Sequence, residues 1–156
     1  MKCKASAALR DAGTVVRARS FLIAVFDAQT RVVVATLWFI GAMLAALAAV
    51  LSFMRPGFSP YWVFLIPTVL LLLIAYSLLA SRAWAFAVSF VLLVGQVVGV
   101  VGTTIELVYG IDSNKATELR ALGFDARFGV WINLTFSLVS VAVLAMALVR
   151  ARRAVV

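Results

Sequence analysis

Four apolar segments, each long enough to cross a lipid bilayer, constrain this chain more than any other feature. The clearest runs from Val32 to Met54 without a single charged residue. A helix needs about 20 apolar residues to cross a hydrocarbon core of about 30 Å. The other three segments cover residues 61–80, 83–109 and 129–149. The sequence therefore predicts an all-α, polytopic integral membrane protein, with a bundle of four transmembrane helices over residues 32–149.

The composition leads to the same class of protein. Of the 156 residues, 65% are apolar and 13% are charged, and the mean hydropathy is +1.14. A soluble domain has about 45–50% apolar and about 25% charged residues. The composition therefore favours a membrane protein.

The basic residues predict how the bundle is oriented. Lys and Arg number 14 against 6 Asp and Glu. With four spans, the two termini and the turn at 81–82 share one side, which then holds ten of the 14. Because cytoplasmic loops are enriched in Lys and Arg, both termini are expected in the cytoplasm. Contact with anionic lipid headgroups explains this charge better than binding of nucleic acid. Richness in Ala, Val and Arg is typical of a GC-rich bacterium, so we expect the inner membrane.

Two basic segments flank the bundle. Residues 1–31 form a cytoplasmic or interfacial segment, and residues 150–156 form a basic tail. The first segment contains an apolar stretch, 21–26, that is too short to span a membrane. This stretch is either a short helix in the headgroup region or part of a loosely ordered tail.

The residues needed for most catalytic and metal sites are missing. The chain has no histidine and one cysteine, Cys3. An intrachain disulfide, a histidine-ligated haem and the common zinc and copper sites are thereby excluded. The spans contain no paired acids, and no glycine-rich phosphate loop follows a strand. We predict no catalytic residues, no bound metal and no cofactor, and do not expect an enzyme.

The third span carries small residues and one acid on a single helical face. At 100° per residue, four positions lie within roughly 60° of one another: Gly95, Gly99, Gly102 and Glu106. Glycines let another helix approach closely. Glu106 is the only acidic residue in the four spans and lies near the end opposite Arg82, where a carboxylate stays in reach of water.

The fourth span offers a matching face. Its polar residues recur at helical spacing: Asn133, Ser137 and Ser140. Because spans three and four are expected to be antiparallel, we predict that Gly102 receives Ser137 and that Gly99 receives Ser140. Asn133 is then expected to donate a hydrogen bond to Glu106.

The connection between spans three and four is the longest in the chain. Residues 111–128 contain helix-forming residues with an apolar side, which predicts a short amphipathic helix over the end of the bundle. Three basic residues near Glu106 are candidate charge partners for its carboxylate: Lys115, Arg120 and Arg127.

Two hypotheses of function remain open. The favoured one is a non-enzymatic accessory, assembly or structural subunit that packs with another membrane protein or with itself. The alternative is a small transporter or channel subunit, in which Glu106 forms a proton or cation site with Thr103, Asn133 and Gln96.

Overall fold

The computed structural model describes residues 20–23, 25–54, 62–110 and 125–155. These residues form four long helices: α1 (Ala28–Met54), α2 (Trp62–Leu79), α3 (Ala83–Tyr109) and α4 (Ala126–Val155). Each of the four is long and apolar enough to cross a membrane. The predicted all-α, four-helix membrane bundle is thus confirmed. The amphipathic helix expected in the connection after α3 lies outside the described residues.

Local hydrogen bonds fix the beginnings of α1 and α4 and the end of α3. Asp27 caps α1, since its Oδ1 accepts a bond of 2.7 Å from the N–H of Thr30. Asp125 caps α4 in the same way, accepting from the N–H of Arg127 at 2.9 Å. At the end of α3 the N–H of Gly110 donates to the carbonyl of Glu106 at 3.1 Å. Gly110 has φ +103°, a conformation that L side chains rarely adopt.

A tight turn joins α2 to α3 and makes them antiparallel. The N–H of Arg82 donates to the carbonyl of Ser77, and the N–H of Ser81 to that of Leu78. This pair of bonds is a Schellman motif. Its left-handed residue is Ser81, at φ +58°, where glycine is more usual.

The four helices associate as two closely packed pairs. α1 packs along α2, and α3 packs along α4, while the α2–α3 and α1–α4 sides are more open. Gly41 of α1 lies where three helices meet: a Cβ at this position would be 3.1 Å from Cζ of Phe136 and 3.4 Å from Cδ1 of Leu71. The core between the pairs includes Trp38, Leu78 and Leu93, which are almost wholly buried.

The apolar stretch before α1 packs against the beginning of α3. Residues 20–23 and 25 are helical. Phe26 stacks on Phe86 with ring centroids 5.6 Å apart, and Phe21 meets Phe90 edge-on at 6.1 Å. Val25 and Phe26 are buried. The end of the basic N-terminal segment is therefore part of the bundle core, which neither sequence interpretation anticipated.

Candidate functional site: the α3–α4 interface

A seam of residues on α3 faces the interior of the bundle. Its members recur at alternating intervals of three and four, and all are buried or partly buried: Phe86, Ser89, Leu93, Gln96, Val100, Thr103 and Leu107. This heptad spacing is the pattern of helices that pack with a left-handed supercoil. Apolar and polar residues alternate along the seam, so that every second position places a hydroxyl or amide inside the bundle.

Two hydrogen bonds connect the polar seam residues to other helices. The indole Nε1 of Trp38 donates to the Oγ of Ser89 at 3.1 Å, across the interior from α1 to α3. The Oγ of Ser137 donates to the Oε1 of Gln96 at 2.8 Å and joins α4 to α3. Buried polar groups need such partners, because a lone donor or acceptor in an apolar interior is costly. These two bonds fix how α3 lies against its neighbours.

Two further buried hydroxyls are satisfied by their own helices. Thr103 donates to the carbonyl of Gly99, and Ser140 donates to the carbonyl of Phe136 at 2.7 Å. Both use the carbonyl four residues earlier, which is a common arrangement for Ser and Thr in helices. Ser140 is therefore buried, and its hydroxyl donates within α4 rather than to α3.

Gly99 is the glycine at which α4 approaches α3. A Cβ at Gly99 would be 3.0 Å from the Oγ and 3.7 Å from the Cβ of Ser137. The sequence interpretation paired Ser137 with Gly102 and Ser140 with Gly99, and that register is wrong by three residues, or about one turn. The bond from Ser137 to Gln96, in the same region of α3, explains the observed register.

Gly95 and Gly102 lie outside this interface. Both are exposed, and no atom of the described residues lies within 4 Å of a Cβ placed on either. On an ideal helix the glycine face is roughly a third of a turn away from the centre of the buried seam. The predicted contact of Gly102 with Ser137 is therefore wrong, and Gly95 does not take part in the α3–α4 packing of the described residues. Burial of Ser89, Gln96 and Thr103 inside the bundle turns Gly95 and Gly102 outwards.

The predicted polar pair at the end of α3 is offset along the helix axes. Glu106 is partly buried in the last turn of α3, and Asn133 is exposed on α4. With Ser137 opposite Gly99, Asn133 lies at the level of Thr103, one turn from Glu106. Of the three candidate charge partners, Arg127 is exposed at the beginning of α4. Lys115 and Arg120 lie outside the described residues.

The chemistry available at this interface is hydrogen bonding and close packing. In the part of the chain that the structure describes, no group of three or more His, Cys, Asp or Glu could hold a metal ion. Comparison with known protein families, characterised proteins and solved structures finds no match to this chain.

A signal for the buried seam was present in the sequence. Ser89, Gln96 and Thr103 recur every seven residues along an otherwise apolar span. Polar residues within a membrane helix usually face the bundle interior, so this repeat marks the inward face. The sequence also places three glycines on the neighbouring face of α3. Small residues are as typical of helix contacts as buried polar residues are, so that face was predicted to be the interface.

Proposed function

We propose that this protein is a non-enzymatic membrane component that associates, through the exposed face of α3, with another membrane protein or with a second copy of itself. The observation that carries the proposal is the position of Gly95 and Gly102. The exposed face, which we call the glycine stripe, consists of Val91, Gly95, Val98, Gly102, Ile105 and Tyr109. Helix α4 occupies the neighbouring face, so the stripe remains available to a further helix.

The physical argument rests on how membrane helices associate. Lipid tails are as apolar as leucine, so contact between helices depends on close packing and on hydrogen bonds. A glycine with open space around its missing Cβ allows the backbone of another helix to come close. Within this stripe, two glycines spaced seven residues apart present the same side of α3.

Asn133 supports the same proposal independently. Its side chain is exposed on α4, seven residues inside the helix and within the apolar span. Polar side chains in membrane spans almost always face a helix bundle or a water-filled cavity rather than lipid. A partner helix over this end of α3 and α4 would supply hydrogen-bond partners for the amide.

The test is purification of the full chain from native membranes in a gentle detergent, with mass spectrometry of bound proteins and measurement of the oligomeric state. We expect Gly102→Leu to release the partner or the second copy while the thermal unfolding temperature stays close to that of the wild type. Ala145→Leu adds a similar side chain on the exposed surface of α4 and should keep the complex. A wild-type protein that is monomeric and without a partner would refute the proposal, as would a complex unchanged by Gly102→Leu.

A small transporter or channel subunit is the second candidate, and the buried polar seam favours it. Ser89, Gln96 and Thr103 place polar groups along the interior of the bundle, and Glu106 lies about one turn beyond Thr103, on the neighbouring face of α3. Proton flux into liposomes containing the protein tests this candidate. If the protein is a transporter that depends on Glu106, Glu106→Gln should abolish the proton flux. If it is an accessory subunit, Glu106→Gln should still fold and bind its partner.

A further inference from the structure

The end of the bundle that holds the α2–α3 turn is strongly basic. Among the described residues here, five arginines stand against one acid, Asp27: Arg31, Arg82, Arg150, Arg152 and Arg153. Arg31 bonds across helices, donating from its Nη1 to the Oγ of Ser81. Arg150 donates to the Oε1 of Gln29 at 3.1 Å. These contacts hold two of the guanidinium groups at the level where an apolar span ends.

Arg31 is held with incomplete hydrogen bonding. The residue is partly buried, and its Nε is buried without an acceptor among the described residues. A buried donor without a partner is costly, and a guanidinium group carries five N–H donors in a rigid fork. Because the Nε is buried, an external acceptor of negative charge can reach only the remaining Nη N–H groups of this side chain.

An apolar groove lies between α1 and α2. Its volume is about 510 Å³, and it is lined by Val32, Ala35, Thr36, Phe39, Leu72, Ala75, Tyr76 and Leu79. Val32 is the next residue after Arg31. At the same end of the groove, Leu79 is two residues before Ser81, which accepts the bond from Arg31. From Val32 to Phe39 the groove is about 10 Å long.

The groove is open towards the surrounding lipid. Several of its lining side chains are more than half exposed, including Val32 and Phe39. Tyr76 is 72% exposed and lies about one turn from the arginine end, at a depth where an amphipathic ring suits the interface. The groove thus combines an apolar floor with a phenol, and it opens at the arginine-rich end of the bundle.

We propose that this groove binds one anionic phospholipid, with an acyl chain along α1 and α2 and the phosphate group at Arg31. Charge selects the occupant, because the end that holds the groove mouth carries an excess of arginine. Arginine binds a phosphate through two parallel N–H bonds, and the apolar floor excludes a free inorganic phosphate from the rest of the site.

A second groove provides an internal comparison. It lies between α1 and α4, has a volume of about 440 Å³ and is lined by Leu37, Ile40, Leu44, Phe128, Trp131, Ile132, Thr135, Phe136 and Val139. Its lining is as apolar as that of the first groove. Among the described residues, the charged side chains closest in sequence to its lining residue Phe128 are Asp125 and Arg127, and their charges cancel. We therefore assign selectivity for an anionic lipid to the first groove alone.

The two grooves also supply matched variants. Thr36 and Thr135 are both exposed, both line a groove, and both donate to the carbonyl four residues earlier, at 2.9 Å and 2.8 Å. Replacing either with phenylalanine fills the respective groove without removing a bond between helices. Thr36→Phe is the test, and Thr135→Phe is its control.

The experiment uses the full chain in detergent micelles with phosphatidylglycerol or phosphatidylcholine of identical acyl chains. Native mass spectrometry counts the lipids retained, and thermal unfolding measures the stabilisation. We expect the wild type to retain phosphatidylglycerol preferentially and to unfold at a higher temperature with it. Arg31→Gln should reduce the preference about fivefold, as expected for one arginine at an anionic surface. Thr36→Phe should abolish retention, and both Arg153→Gln and Thr135→Phe should preserve it.

Several results would overturn the proposal. One is equal retention of the two lipids by the wild type. Another is an equal loss of the preference for phosphatidylglycerol in Arg153→Gln and Arg31→Gln. A third is an equal loss of retained lipid in Thr36→Phe and Thr135→Phe. Stabilisation by inorganic phosphate to the same degree would assign the site to a free anion instead. If Arg31→Gln does not fold, Arg31→Lys replaces it, because lysine keeps the positive charge but lacks the fork of N–H donors. Comparison of Thr36→Phe with Thr135→Phe then decides whether the lipid occupies the first groove.

Discussion

The indole N–H of Trp38 on α1 donates to the hydroxyl of Ser89 on α3, at 3.1 Å across the interior of the bundle. Trp38 is 1% exposed and Ser89 is fully buried. The donor therefore has no access to water, and its bond to Ser89 links the α1–α2 pair to the α3–α4 pair.

Ser89→Ala should lower the free energy of unfolding by about 1 kcal/mol, because it leaves the indole N–H buried without an acceptor. Thr104→Ala is the control, since Thr104 is exposed and its hydroxyl donates within α3, to the carbonyl of Val100. Its effect should stay within about 0.5 kcal/mol. Unfolding titrations in mixed micelles measure both. A double-mutant cycle with Trp38→Phe isolates the pair, and equal effects of Ser89→Ala and Thr104→Ala would contradict the expectation.

The glycines of α3 should respond differently to the same added methyl group. Gly99→Ala places a Cβ 3.0 Å from the Oγ of Ser137, so this hydroxyl, which bonds to Gln96, must move by a few tenths of an ångström. Gly102→Ala meets open space and gains helix propensity. We expect Gly102→Ala to be neutral or stabilising by up to about 1 kcal/mol, and Gly99→Ala to be less stable than Gly102→Ala by at least about 1 kcal/mol.

The same unfolding titrations rank these two variants. Gly95→Ala serves as a second control, because this position is also open. If Gly99→Ala is as stable as Gly95→Ala and Gly102→Ala, the close approach of α4 at Gly99 does not contribute to stability, and the register that places Ser137 opposite Gly99 is wrong.

Asp27 should make the stability of the bundle depend on pH in the acid range. Hydrogen bonding by the side chain and backbone N–H of Thr30, aided by the charges of Arg150 and Arg31, lowers the pKa of Asp27 from its ordinary value of 3.8. A carboxyl group whose pKa is lower in the folded state stabilises that state above 3.8. This contribution is lost as the pH falls through the pKa of the folded state.

Thermal unfolding from pH 7 to pH 3 tests the cap. Asp27→Ala should cost about 1 kcal/mol at pH 7, the usual effect of removing an N-cap, and less in acid. Asp27→Asn keeps the capping oxygen and should show no titration from this position. A wild-type profile that matches that of Asp27→Asn at every pH would exclude Asp27 as the titrating group.

The single cysteine offers a direct test of orientation. If both termini are cytoplasmic, a thiol reagent that cannot cross membranes should label Cys3 in inside-out vesicles and leave it unlabelled in intact cells. In the reverse design, Cys3→Ser combined with Phe58→Cys places the thiol in the connection between α1 and α2, which should be labelled from the other side. Labelling of Cys3 in intact cells would show that the orientation is the opposite of the predicted one.

The sequence predicted the architecture well, because hydrocarbon thickness sets the length of each span. The expected spans and the observed helices agree within four residues, as for 83–109 and α3, except that α4 continues six residues past 149 to Val155. The observed ends are longer where caps extend them: α1 begins after Asp27 and α4 after Asp125. Such extensions are difficult to predict because they depend on a single side chain outside the apolar run.

The interface was predicted in part. Sequence reasoning identified Gly99 and Ser137 as contacting residues, but with the wrong partners, and it did not single out Ser89. A helix face marked by glycine and one marked by buried polar groups are both plausible contact surfaces. Periodicity shows that each face exists but not which neighbour covers it.

The amino-acid sequence by itself determined that this chain forms four membrane helices, since apolar length and the obligation to bond every backbone N–H and C=O leave no other spanning structure. Only the tertiary structure decided the rotation and register of those helices. Those depend on which pairs of side chains meet, such as Ser137 with Gln96 and Trp38 with Ser89. Such contacts join residues more than 40 positions apart, and no local pattern in the chain specifies them.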